Sequence, residues 1–401
     1  MAAQDKFSAE IAVIGGGPAG LTAAIALKAA GVDALLIAPA AEPDHRTTAL
    51  LAGSVTALDT LGVWPLCAAE AAPIHQIRLI DDSGRLLRAR ETLFAAAEIG
   101  LEAFGFNIEN RHLLAALETR ATSLELPRLR EVARSVRSDA AGVRIELANG
   151  EVRVRMTIAA DGRRSLARAA AGIKLTRSAY PQTAVTLNLG HAHPHHGIST
   201  EFHTETGPFT LVPLPGCRSS VVCVVDHAGA ARLAGMGDDE LAFDIERRAH
   251  SLLGKMSVEP GRGLFPLSVE TANTLARDRT ALIGEAAHVV PPIGAQGLNL
   301  GLRDSACIAE LLAEARRQNR DPGSSEVLER YRRQRRADVG TRVLAVDVLN
   351  RSLLADFLPA QALRGLSLYL LDRIGPLRRA LMREGIAPFV AQPRLMRGEM
   401  I

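Results

Sequence analysis

Hydrophobic positions near the start of the chain form two short apolar runs, residues 11–15 and 34–38, separated by an alanine-rich segment, residues 21–31. Short apolar runs bounded by glycine or polar residues predict buried strands, whereas the middle segment has the length of a helix and ends on glycine. Together the three segments predict a βαβ unit of about 30 residues.

The rest of the chain divides into further segments of these two kinds. Predicted helices cover residues 48–61, 110–122 and 241–253 and most of the chain after residue 297. Predicted extended segments cover residues 77–80, 86–88, 143–147, 152–159 and 279–283, with an Asn149-Gly150 turn between two of them and a strand-rich region over residues 183–225. This order predicts an α/β fold in which a Rossmann-like domain is interleaved with an antiparallel-sheet domain and is followed by a C-terminal helical region. We place the first domain at residues 1–75, 96–178 and 271–330, the second at residues 76–95 and 179–270, and the helical region at residues 331–401.

The composition is that of an ordinary globular protein, with 47% hydrophobic and 23% charged residues. Only 3% of the residues are aromatic, so a stacking surface for single-stranded nucleic acid is not expected. Cys67, Cys217, Cys223 and Cys307 show no CxxC or metal-binding spacing, which indicates reduced thiols. The polar first ten residues and the lack of an apolar run of about 20 residues predict a cytoplasmic protein with no secretory signal and no membrane span.

Positive charge is concentrated at the end of the chain. The whole chain has a formal charge of +3, whereas residues 330–401 hold 14 Arg against 6 Asp or Glu. Leucine and arginine recur there at helical spacing, with an interruption at Gly375-Pro376: Leu363, Leu366, Leu370, Ile374, Leu377 and Leu381, and Arg364, Arg373, Arg378, Arg379 and Arg383. This amphipathic basic pattern is typical of peripheral contact with an anionic membrane surface, here the inner face of the membrane. Packing onto the protein's own body is the alternative.

A glycine-rich turn lies between the first predicted strand and helix. Its sequence, Gly15-Gly16-Gly17-Pro18-Ala19-Gly20, matches GxGxxG. Gly15 permits the tight turn, Gly17 lets the backbone approach a pyrophosphate, and Gly20 allows close packing of the helix on the strand. The helix N-terminus stabilises the phosphate charge, so the motif predicts dinucleotide binding.

The acid that usually follows the second strand of this motif is absent. Ala38 stands where an Asp or Glu would hold the ribose hydroxyls. Glu42 or Asp44 on the next loop, or backbone and water, would have to take over that contact.

Two later segments place a carboxylate after a predicted strand. Asp161-Gly162 follows the apolar end of residues 152–159 and precedes Arg163-Arg164-Ser165 and Arg168. Glu285 follows residues 279–283 and precedes Gly294, Gly297 and Gly301. An acid at a strand end beside the Rossmann motif lies near the dinucleotide, and a helix cap is the alternative for Asp161.

These three elements in this order resemble the flavin-dependent aromatic hydroxylases of the para-hydroxybenzoate hydroxylase fold. Within that group the chain resembles the ubiquinone-biosynthesis hydroxylases, through RTTALL (46–51), EIGLEAFGFNIENRHLLAAL (98–117), STEFHTETGPFTLVPLPG (199–216) and GEAAHVVPPIGAQGLNLGLRD (284–304). The resemblance implies a Rossmann-like FAD-binding domain interleaved with an antiparallel-sheet substrate domain.

The resemblance also implies a role for each matching residue in binding FAD. Gly15, Gly17, Pro18, Ala19 and Gly20 would hold the pyrophosphate, and Arg46 and Arg111 would approach the flavin or its phosphates. Asp161 would lie near the pyrophosphate and the path of the reduced nicotinamide. Glu285, which is Asp in many relatives, would accept a hydrogen bond from the ribityl chain. The isoalloxazine ring would be wrapped by Gly294, Gln296, Gly297, Leu298 and Asn299, with backbone groups of the last two at its pyrimidine edge.

Histidines occur at two further places of interest. His288 lies three residues after Glu285, where it would either reach the ligand as a catalytic candidate or support local backbone. The cluster His191 to His196 includes no acid or cysteine, which favours a polar loop between strands over a metal site.

By resemblance, NAD(P)H reduces the flavin, O₂ adds at its C4a atom, and the resulting C4a-hydroperoxide hydroxylates a phenol. Such a reaction requires a water-poor pocket. Phe202, Phe209, Leu211, Pro213 and Pro292 are candidates to line it, with ordinary sheet core as the alternative. The expected substrate is a hydrophobic phenol, a polyprenylphenol of ubiquinone biosynthesis. Two alternatives remain: a hydroxylase of a small soluble aromatic, or a non-catalytic flavin-binding scaffold subunit of a ubiquinone-synthesis complex. A ubiquinone-biosynthesis complex is also the expected protein partner.

Overall fold

We describe a computed structural model that covers residues 8–40, 44–84, 90–292, 294–354, 375–386 and 392–401 of the 401-residue chain. Its strands are, in chain order, β1 (Ser8–Ile14), β2 (Ala34–Ile37), β3 (Thr47–Leu51), β4 (Ala71–Pro73), β5 (Gln76–Asp81), β6 (Thr92–Ala95), β7 (Gly105–Glu109), β8 (Arg128–Leu129), β9 (Ser135–Ser138), β10 (Val143–Leu147), β11 (Gly150–Ala159), β12 (Leu175–His191), β13 (Ile198–His203), β14 (Pro208–Leu214), β15 (Arg218–Asp226), β16 (Met256–Val258), β17 (Gly263–Ala272), β18 (Ala276–Arg277), β19 (Thr280–Leu282) and β20 (His288–Val289). Its α-helices are α1 (Pro18–Ala29), α2 (Ala52–Thr60), α3 (Asn110–Ser123), α4 (Leu166–Ala170), α5 (His227–Gly235), α6 (Asp238–Arg248), α7 (Gln296–Arg317), α8 (Ser325–Leu354) and α9 (Gly375–Ile386).

The first sheet carries the predicted βαβ unit. Its central order is β18-β19-β11-β1-β2-β8, and β1 runs parallel to both β2 and β11. All four residues of β2 are buried, as expected for a strand covered on both faces. The helix α1 is buried along its length from Gly20 to Leu27 and packs against α7. The α/β fold predicted from the hydrophobic pattern is therefore confirmed.

The second sheet is almost entirely antiparallel. Its order is β20-β17-β12-β15-β14-β13-β5-β6, with β16 paired to β12, and only β5 and β13 run parallel to each other. Because β5 and β6 belong to this sheet, residues 76–95 reach it from within the first part of the chain, as the interleaved arrangement requires. Helices α5 and α6 cover one face of the sheet, and their apolar residues form a core with it.

A small three-stranded sheet, β3-β7-β4, lies beside the Rossmann-like part. It corrects the prediction of one helix over residues 48–61, because Thr47–Leu51 forms a strand and only Ala52–Thr60 is helical. The cause is tertiary: β3 pairs with β7 over its whole length, from Thr47 opposite Glu109 to Leu51 opposite Gly105. The other predicted segment in this part of the chain, residues 86–88, lies outside the described residues.

The end of the chain returns to the Rossmann-like part. Helices α7 and α8 pack against each other. After α9, the short helix Arg394–Arg397 inserts Leu395 and Met396 into the main hydrophobic core, where both are buried. Part of the predicted C-terminal helical region is therefore an integral part of the fold.

Candidate functional site

The glycine-rich turn at the start of α1 leaves no space for side chains on the inside and leaves open space on the outside. Gly15 has φ +117°, and a Cβ atom there would lie 2.1 Å from the carbonyl oxygen of Ala160. A Cβ atom at Gly20 would lie 2.0 Å from the carbonyl oxygen of Gly15. At Gly17, the N-cap of α1, a Cβ atom would meet nothing within 4 Å. This turn is closed against β11 and open above the helix N-terminus, which fits a bound pyrophosphate.

Asp161 stands beside this turn with one of its oxygens in use. Its Oδ2 accepts a hydrogen bond from the backbone N–H of Ala167 at 3.1 Å, so the helix-cap interpretation is correct for that oxygen. Its Oδ1 is buried and has no hydrogen-bond partner. An orphaned carboxylate oxygen at this position is available to a ligand hydroxyl.

Arg168 connects the Asp161 turn to the Glu285 segment. Its guanidinium donates to the carbonyl oxygen of Ala286 at 3.0 Å and to that of Arg163 at 2.9 Å. Arg168 is buried, and this burial lowers its pKa. The two carboxylate-bearing segments are thus held next to each other, as their spacing in the Rossmann pattern suggests.

Glu285 extends outward from a tightly packed turn. Gly284 has φ +58° and lies close to Gly301 of α7. A Cβ atom added to Gly301 would be 3.1 Å from the Cα atom of Gly284 and 3.4 Å from the Cβ atom of Ala19. The Glu285 side chain itself is exposed. It lies near Arg46, whose pKa is raised first by its hydrogen bond to Asp44 and further by the charge of Glu285.

Arg46 and Arg111 lie at the edge of the small sheet. Both side chains are half exposed, Arg46 paired with Asp44 at 2.7 Å and Arg111 with Glu109 at 3.0 Å. Asp44 also accepts a hydrogen bond from the side chain of Asn110 at 2.9 Å. Asp44, one of the two acids suggested to replace the missing ribose acid, is therefore already bound to Arg46 and Asn110. The other, Glu42, lies outside the described residues.

Asn299 fixes the loop that precedes α7. Its Oδ1 accepts from the backbone N–H of Leu51 at 2.9 Å, and its Nδ2 donates to the carbonyl oxygens of Ala49 at 2.8 Å and Ala295 at 2.6 Å. The amide side chain thus takes the place of a neighbouring strand along the free edge of β3. Gly294 and Ala295 both adopt left-handed backbone conformations just before it. The side chain of Asn299 is fully used, so only its backbone remains for a flavin.

The other residues predicted to surround the isoalloxazine ring differ in exposure. Gly297 is exposed and Leu298 half-buried, whereas Gln296 is buried. The Gln296 Oε1 atom accepts a hydrogen bond from Arg342 at 2.9 Å. The first turn of α7 is thereby attached to α8.

His288 lies in a buried ionic cluster below this loop. Its Nε2 is 2.7 Å from Oδ2 of Asp304, and Oδ1 of Asp304 accepts from Nε of Arg335 at 2.7 Å. Arg335 and Arg303 both bind Asp338. Burial alone would raise the pKa of Asp304, but the charges of Arg335 and His288 outweigh it and hold that pKa below its usual value. These contacts favour the structural role for His288 over the catalytic one.

The candidate pocket residues on the second sheet require a correction. Phe202, Phe209 and Leu211 are all buried in the core between the sheet and the helices α5 and α6, and the rings of Phe202 and Phe209 are 5.5 Å apart. Side chains alternate between the two faces of a strand, so these three point away from the Rossmann-like part. The interpretation as ordinary sheet core is the correct one for them. Pro213 is buried at the end of β14, and Pro292 is exposed.

The opposite face of this sheet carries an apolar layer. Ile77 and Val212 from the sheet pack there with Phe94, with Ile74 and Phe104 from the loops around the small sheet, and with Met382 of α9. Asn107 of β7 ties the two parts together by donating to the carbonyl oxygen of Pro213 at 2.9 Å and to the hydroxyl of Ser220 at 3.0 Å. We refer to this set, Ile74, Ile77, Phe94, Phe104, Val212 and Met382, as the apolar layer.

The histidine loop forms hydrogen bonds within the protein. His191 uses one ring nitrogen on the carbonyl oxygen of His193 and the other on the hydroxyl of Ser219. His195 uses its ring nitrogens on the carbonyl oxygen of Leu214 and the backbone N–H of Gly197. These contacts fit the predicted polar loop.

Sequence reasoning missed the roles of Asn107 and of the Asp304 cluster. Part of the cluster could have been suspected from Arg335 and Asp338, because residues three apart lie on one face of a helix. Arg303 and Asp304 are adjacent in sequence and gave no such signal. Asn107 gave no signal, because an isolated Asn within a strand has no characteristic pattern.

Comparison with known proteins places this geometry in context. The FAD binding domain family matches residues 8–346. The ubiquinone hydroxylase UbiL of Rhodospirillum rubrum is 35% identical over 403 residues, covering 97% of this chain and 93% of its own. The 3-demethoxyubiquinol 3-hydroxylase of Escherichia coli is 30% identical over 386 residues, covering 93% of this chain and 97% of its own. Among solved structures, the p-nitrophenol 4-monooxygenase PnpA of Pseudomonas putida DLL-E4 has the same fold, with a TM-score of 0.77 at 21% identity over 98% of this chain and 100% of that one.

Proposed function

Because the chain belongs to the FAD-dependent monooxygenases of the ubiquinone hydroxylase family, we propose that it hydroxylates the ring of a polyprenylphenol intermediate of ubiquinone biosynthesis, using O₂ and NAD(P)H. FAD is the cofactor. Family membership as an enzyme also removes the non-catalytic subunit from the alternatives and leaves the small soluble aromatic as the rival substrate. We keep the predicted division into FAD-binding, substrate and C-terminal parts as part of this proposal.

The observation that carries the substrate proposal is the apolar layer. It lies where the antiparallel sheet faces the small sheet that holds the Asn299 loop, and its side chains come from the loops around the small sheet, from one face of the second sheet and from α9. Ile74, Phe104 and Met382 are buried, whereas Ile77, Phe94 and Val212 are partly buried. These partly buried side chains would form an apolar wall for a hydrophobic ring with an aliphatic chain and would keep out water, which otherwise diverts activated oxygen. The guanidinium of Arg378 lies 4.5 Å from the centre of the Phe94 ring, but it is paired with Glu98 and its charge is balanced within the protein.

The residues that would hold FAD are those predicted from the sequence. The backbone at Gly15, Gly17, Pro18, Ala19 and Gly20 would bind the pyrophosphate, and Oδ1 of Asp161 and the side chain of Glu285 would accept from hydroxyls of the cofactor. Arg46 and Arg111 would supply positive charge. Gly294, Gln296, Gly297, Leu298 and Asn299 would form the loop around the ring. The chemistry expected of the bound group is oxygen activation at its C4a atom, as the resemblance implies.

The protein's own part in this reaction is orientation and exclusion of water. Asn299 holds the ring loop against β3, and Asn107 holds β14 and β15 against β7. Both amides are buried, Asn299 bonding to backbone groups and Asn107 to the Pro213 carbonyl and the Ser220 hydroxyl, and we infer that these hydrogen bonds fix the spacing between the cofactor loop and the apolar layer.

The proposal is tested by comparing phenols as substrates of the FAD-loaded enzyme. We expect 2-prenylphenol to stimulate NADH or NADPH oxidation and to gain one oxygen atom from ¹⁸O₂, as measured by mass spectrometry. Soluble phenols such as 4-hydroxybenzoate should stimulate oxidation much less. If soluble phenols are hydroxylated and prenylphenols are not, the rival substrate class is correct.

We also propose that α9 contacts an anionic membrane surface, where such a substrate would reside. Its Arg378 is buried and paired with Glu98 at 2.7 Å, and Met382 belongs to the apolar layer, so one side of the helix packs onto the protein. Arg379, Leu381 and Arg383 are exposed on the other side. One side of the helix therefore fits the packing interpretation, and we assign the proposed membrane contact to its exposed residues. The preceding positions of the basic pattern lie outside the described residues: Leu363, Leu366, Leu370, Ile374, Arg364 and Arg373.

A charge reversal tests this contact without disturbing the core. Removing the whole tail would also remove Leu395 and Met396 from the core, so deletion is unsuitable. Arg379→Glu combined with Arg383→Glu should abolish sedimentation with phosphatidylglycerol vesicles. The control pair Arg316→Glu and Arg317→Glu, also exposed, should sediment like the wild type. Among the described helices none is both long and apolar enough to cross a bilayer.

The same proposal includes assembly with other ubiquinone-biosynthesis proteins. It would be checked by co-purification of the native enzyme from its own cells with those proteins.

A further inference from the structure

Glu201 and His203 form a carboxylate–imidazole pair on β13. The Nε2 atom of His203 is 2.8 Å from Oε1 of Glu201, and the hydroxyl of Thr210 on the neighbouring strand donates to Oε2 of Glu201 at 3.4 Å. The His203 side chain is only 8% exposed and that of Glu201 19%. A polar pair that is this well buried and is held from a second strand has a defined orientation.

The pair lies on the same face of the sheet as the apolar layer. Phe202, between the two residues, points into the helix-covered core, so its neighbours on either side point to the opposite face. Glu201 is in register with Thr210, which is two residues from Val212 of the apolar layer. The charged neighbour on the adjacent strand is Asp81, in register with His203. His203 is in register with Pro208, four residues from Val212. The pair therefore extends along β13 from the edge of the apolar layer, with Glu201 nearer to the layer and His203 farther from it.

This pair differs from the nearly fully buried carboxylates in lacking an arginine. Among the described residues, each carboxylate that is at most 6% exposed pairs with arginine: Glu109 with Arg218, Asp244 with Arg248, Glu270 with Arg163, Asp304 with Arg335, and Asp338 with Arg303. Asp304 also contacts His288, but Arg335 already balances its charge, whereas the described ion pair of Glu201 is with His203. Arginine keeps its proton under all ordinary conditions, so the arginine pairs are fixed charges. Histidine exchanges its proton near neutral pH, so a Glu–His pair is suited to proton transfer.

We propose that His203 is the base that removes the hydroxyl proton of the phenolic substrate, with Glu201 as its positioning residue; this rests on the proposed function. The Nε2–H group of His203 donates to Glu201, which leaves Nδ1 as the acceptor. Among the described residues none forms a hydrogen bond to Nδ1. The phenol O–H bond breaks, an Nδ1–H bond forms, and the electron pair stays on oxygen as phenolate.

Phenolate formation prepares the ring for oxygen transfer. An ionised oxygen raises the electron density at the ring carbons, and an electrophilic oxygen atom is then attacked more readily. The carboxylate of Glu201 fixes the tautomer of His203 and stabilises the imidazolium that forms, as the buried acid does in other carboxylate–histidine pairs. The assignment also supplies the phenol-activating group that the scarcity of tyrosine left without a candidate: the chain has only Tyr180, Tyr331 and Tyr369.

The first test measures ionisation of a bound phenol without turnover. 4-Nitrophenol is titrated anaerobically into the FAD-loaded, oxidised enzyme at a pH where it is mostly neutral in solution, and its anion is followed by absorbance. The wild type should bind it as the anion, and His203→Gln should bind it as the neutral phenol. The control His193→Gln, an exposed loop histidine, should behave as the wild type. If the wild type binds only neutral phenol, or if His203→Gln still binds the anion, the proposal is overturned.

The second test measures hydroxylation of 2-prenylphenol and of its ring-fluorinated, more acidic analogues. His203→Gln should lower kcat/KM for 2-prenylphenol by about 100-fold, within the range typical of general-base catalysis, and by much less for the fluorinated analogues, which ionise without help. Glu201→Gln should show the same trend with a smaller loss, which covers the case that His203→Gln fails to fold. An equal loss for all phenols would indicate a structural role and contradict the proposal.

The two tests separate this inference from the proposed function. If the wild type ionises 4-nitrophenol but does not hydroxylate 2-prenylphenol, the substrate proposal fails and the base assignment stands. If it hydroxylates 2-prenylphenol and both variants do so equally well, the base assignment fails and the substrate proposal stands.

Discussion

Replacing Asn299 should destabilise the protein and loosen the cofactor loop together. The Asn299 side chain is fully buried and is the partner of the Leu51 N–H and Ala49 C=O groups along the free edge of β3. Asn299→Ala leaves both groups without it. Each buried backbone group left unpaired costs roughly 1–3 kcal/mol, so the expected loss for the two is about 2–6 kcal/mol of the free energy of unfolding. That is a large part of the roughly 5–15 kcal/mol typical of a domain.

A second substitution at this position tests the hydrogen-bond pattern itself. Asn299→Asp has nearly the same shape and retains the acceptor for the Leu51 N–H group. Its second oxygen, however, would face the carbonyl oxygens of Ala49 and Ala295, which now receive hydrogen bonds from Nδ2. We therefore expect Asn299→Asp to be at least as destabilising as Asn299→Ala, although it loses no volume.

The assay is urea unfolding of the FAD-loaded protein, combined with FAD retained after dialysis, read as the ratio of flavin to protein absorbance. The control is Gln318→Ala at the other end of α7, where an exposed amide donates a hydrogen bond to Glu314; it should change stability by less than about 0.5 kcal/mol. The reasoning would be refuted if both Asn299 variants matched this control in stability and in FAD content.

Three further predictions follow from the site. Glu285→Ala should lose FAD on dialysis, because its carboxylate is the proposed ribityl contact, and full retention of FAD would contradict that role. Gly20→Ala should lower the melting temperature and FAD content, since its Cβ atom would overlap the carbonyl oxygen of Gly15; unchanged values would mean that the turn can shift freely. Burial raises the pKa of Asp304 in the folded protein, but the nearby charges, chiefly that of Arg335, lower it by more. The Asp304 carboxylate therefore stabilises the fold at pH values above its unfolded-state pKa of about 3.9, and this stabilisation is lost as the pH falls below that value. Thermal unfolding between pH 6 and pH 3 should show this loss, and Asp304→Asn should be less stable at pH 6 but less sensitive to acid.

Local sequence signals determined the Rossmann-like part almost completely. The βαβ unit, the glycine turn and the helix Asn110–Ser123 were predictable because short apolar runs, glycine positions and helical periodicity act within a few residues of one another. The same signals failed at residues 48–61, where the pairing of β3 with β7, more than 50 residues away, overrides a helical pattern.

The sequence by itself therefore determined the fold class, the family and the cofactor, because each depends on spacing within short motifs, and it predicted the residues that would hold the cofactor. Only the tertiary structure decided which face of the second sheet packs on α5 and α6 and which faces the small sheet, since a strand pattern with apolar residues on both faces does not distinguish them. That decision moved Phe202, Phe209 and Leu211 into the core and brought Glu201 and His203 to the other face, next to the apolar layer. Which face becomes core depends on which face α5 and α6 cover. That contact joins segments distant in sequence, so no local sequence pattern predicts it.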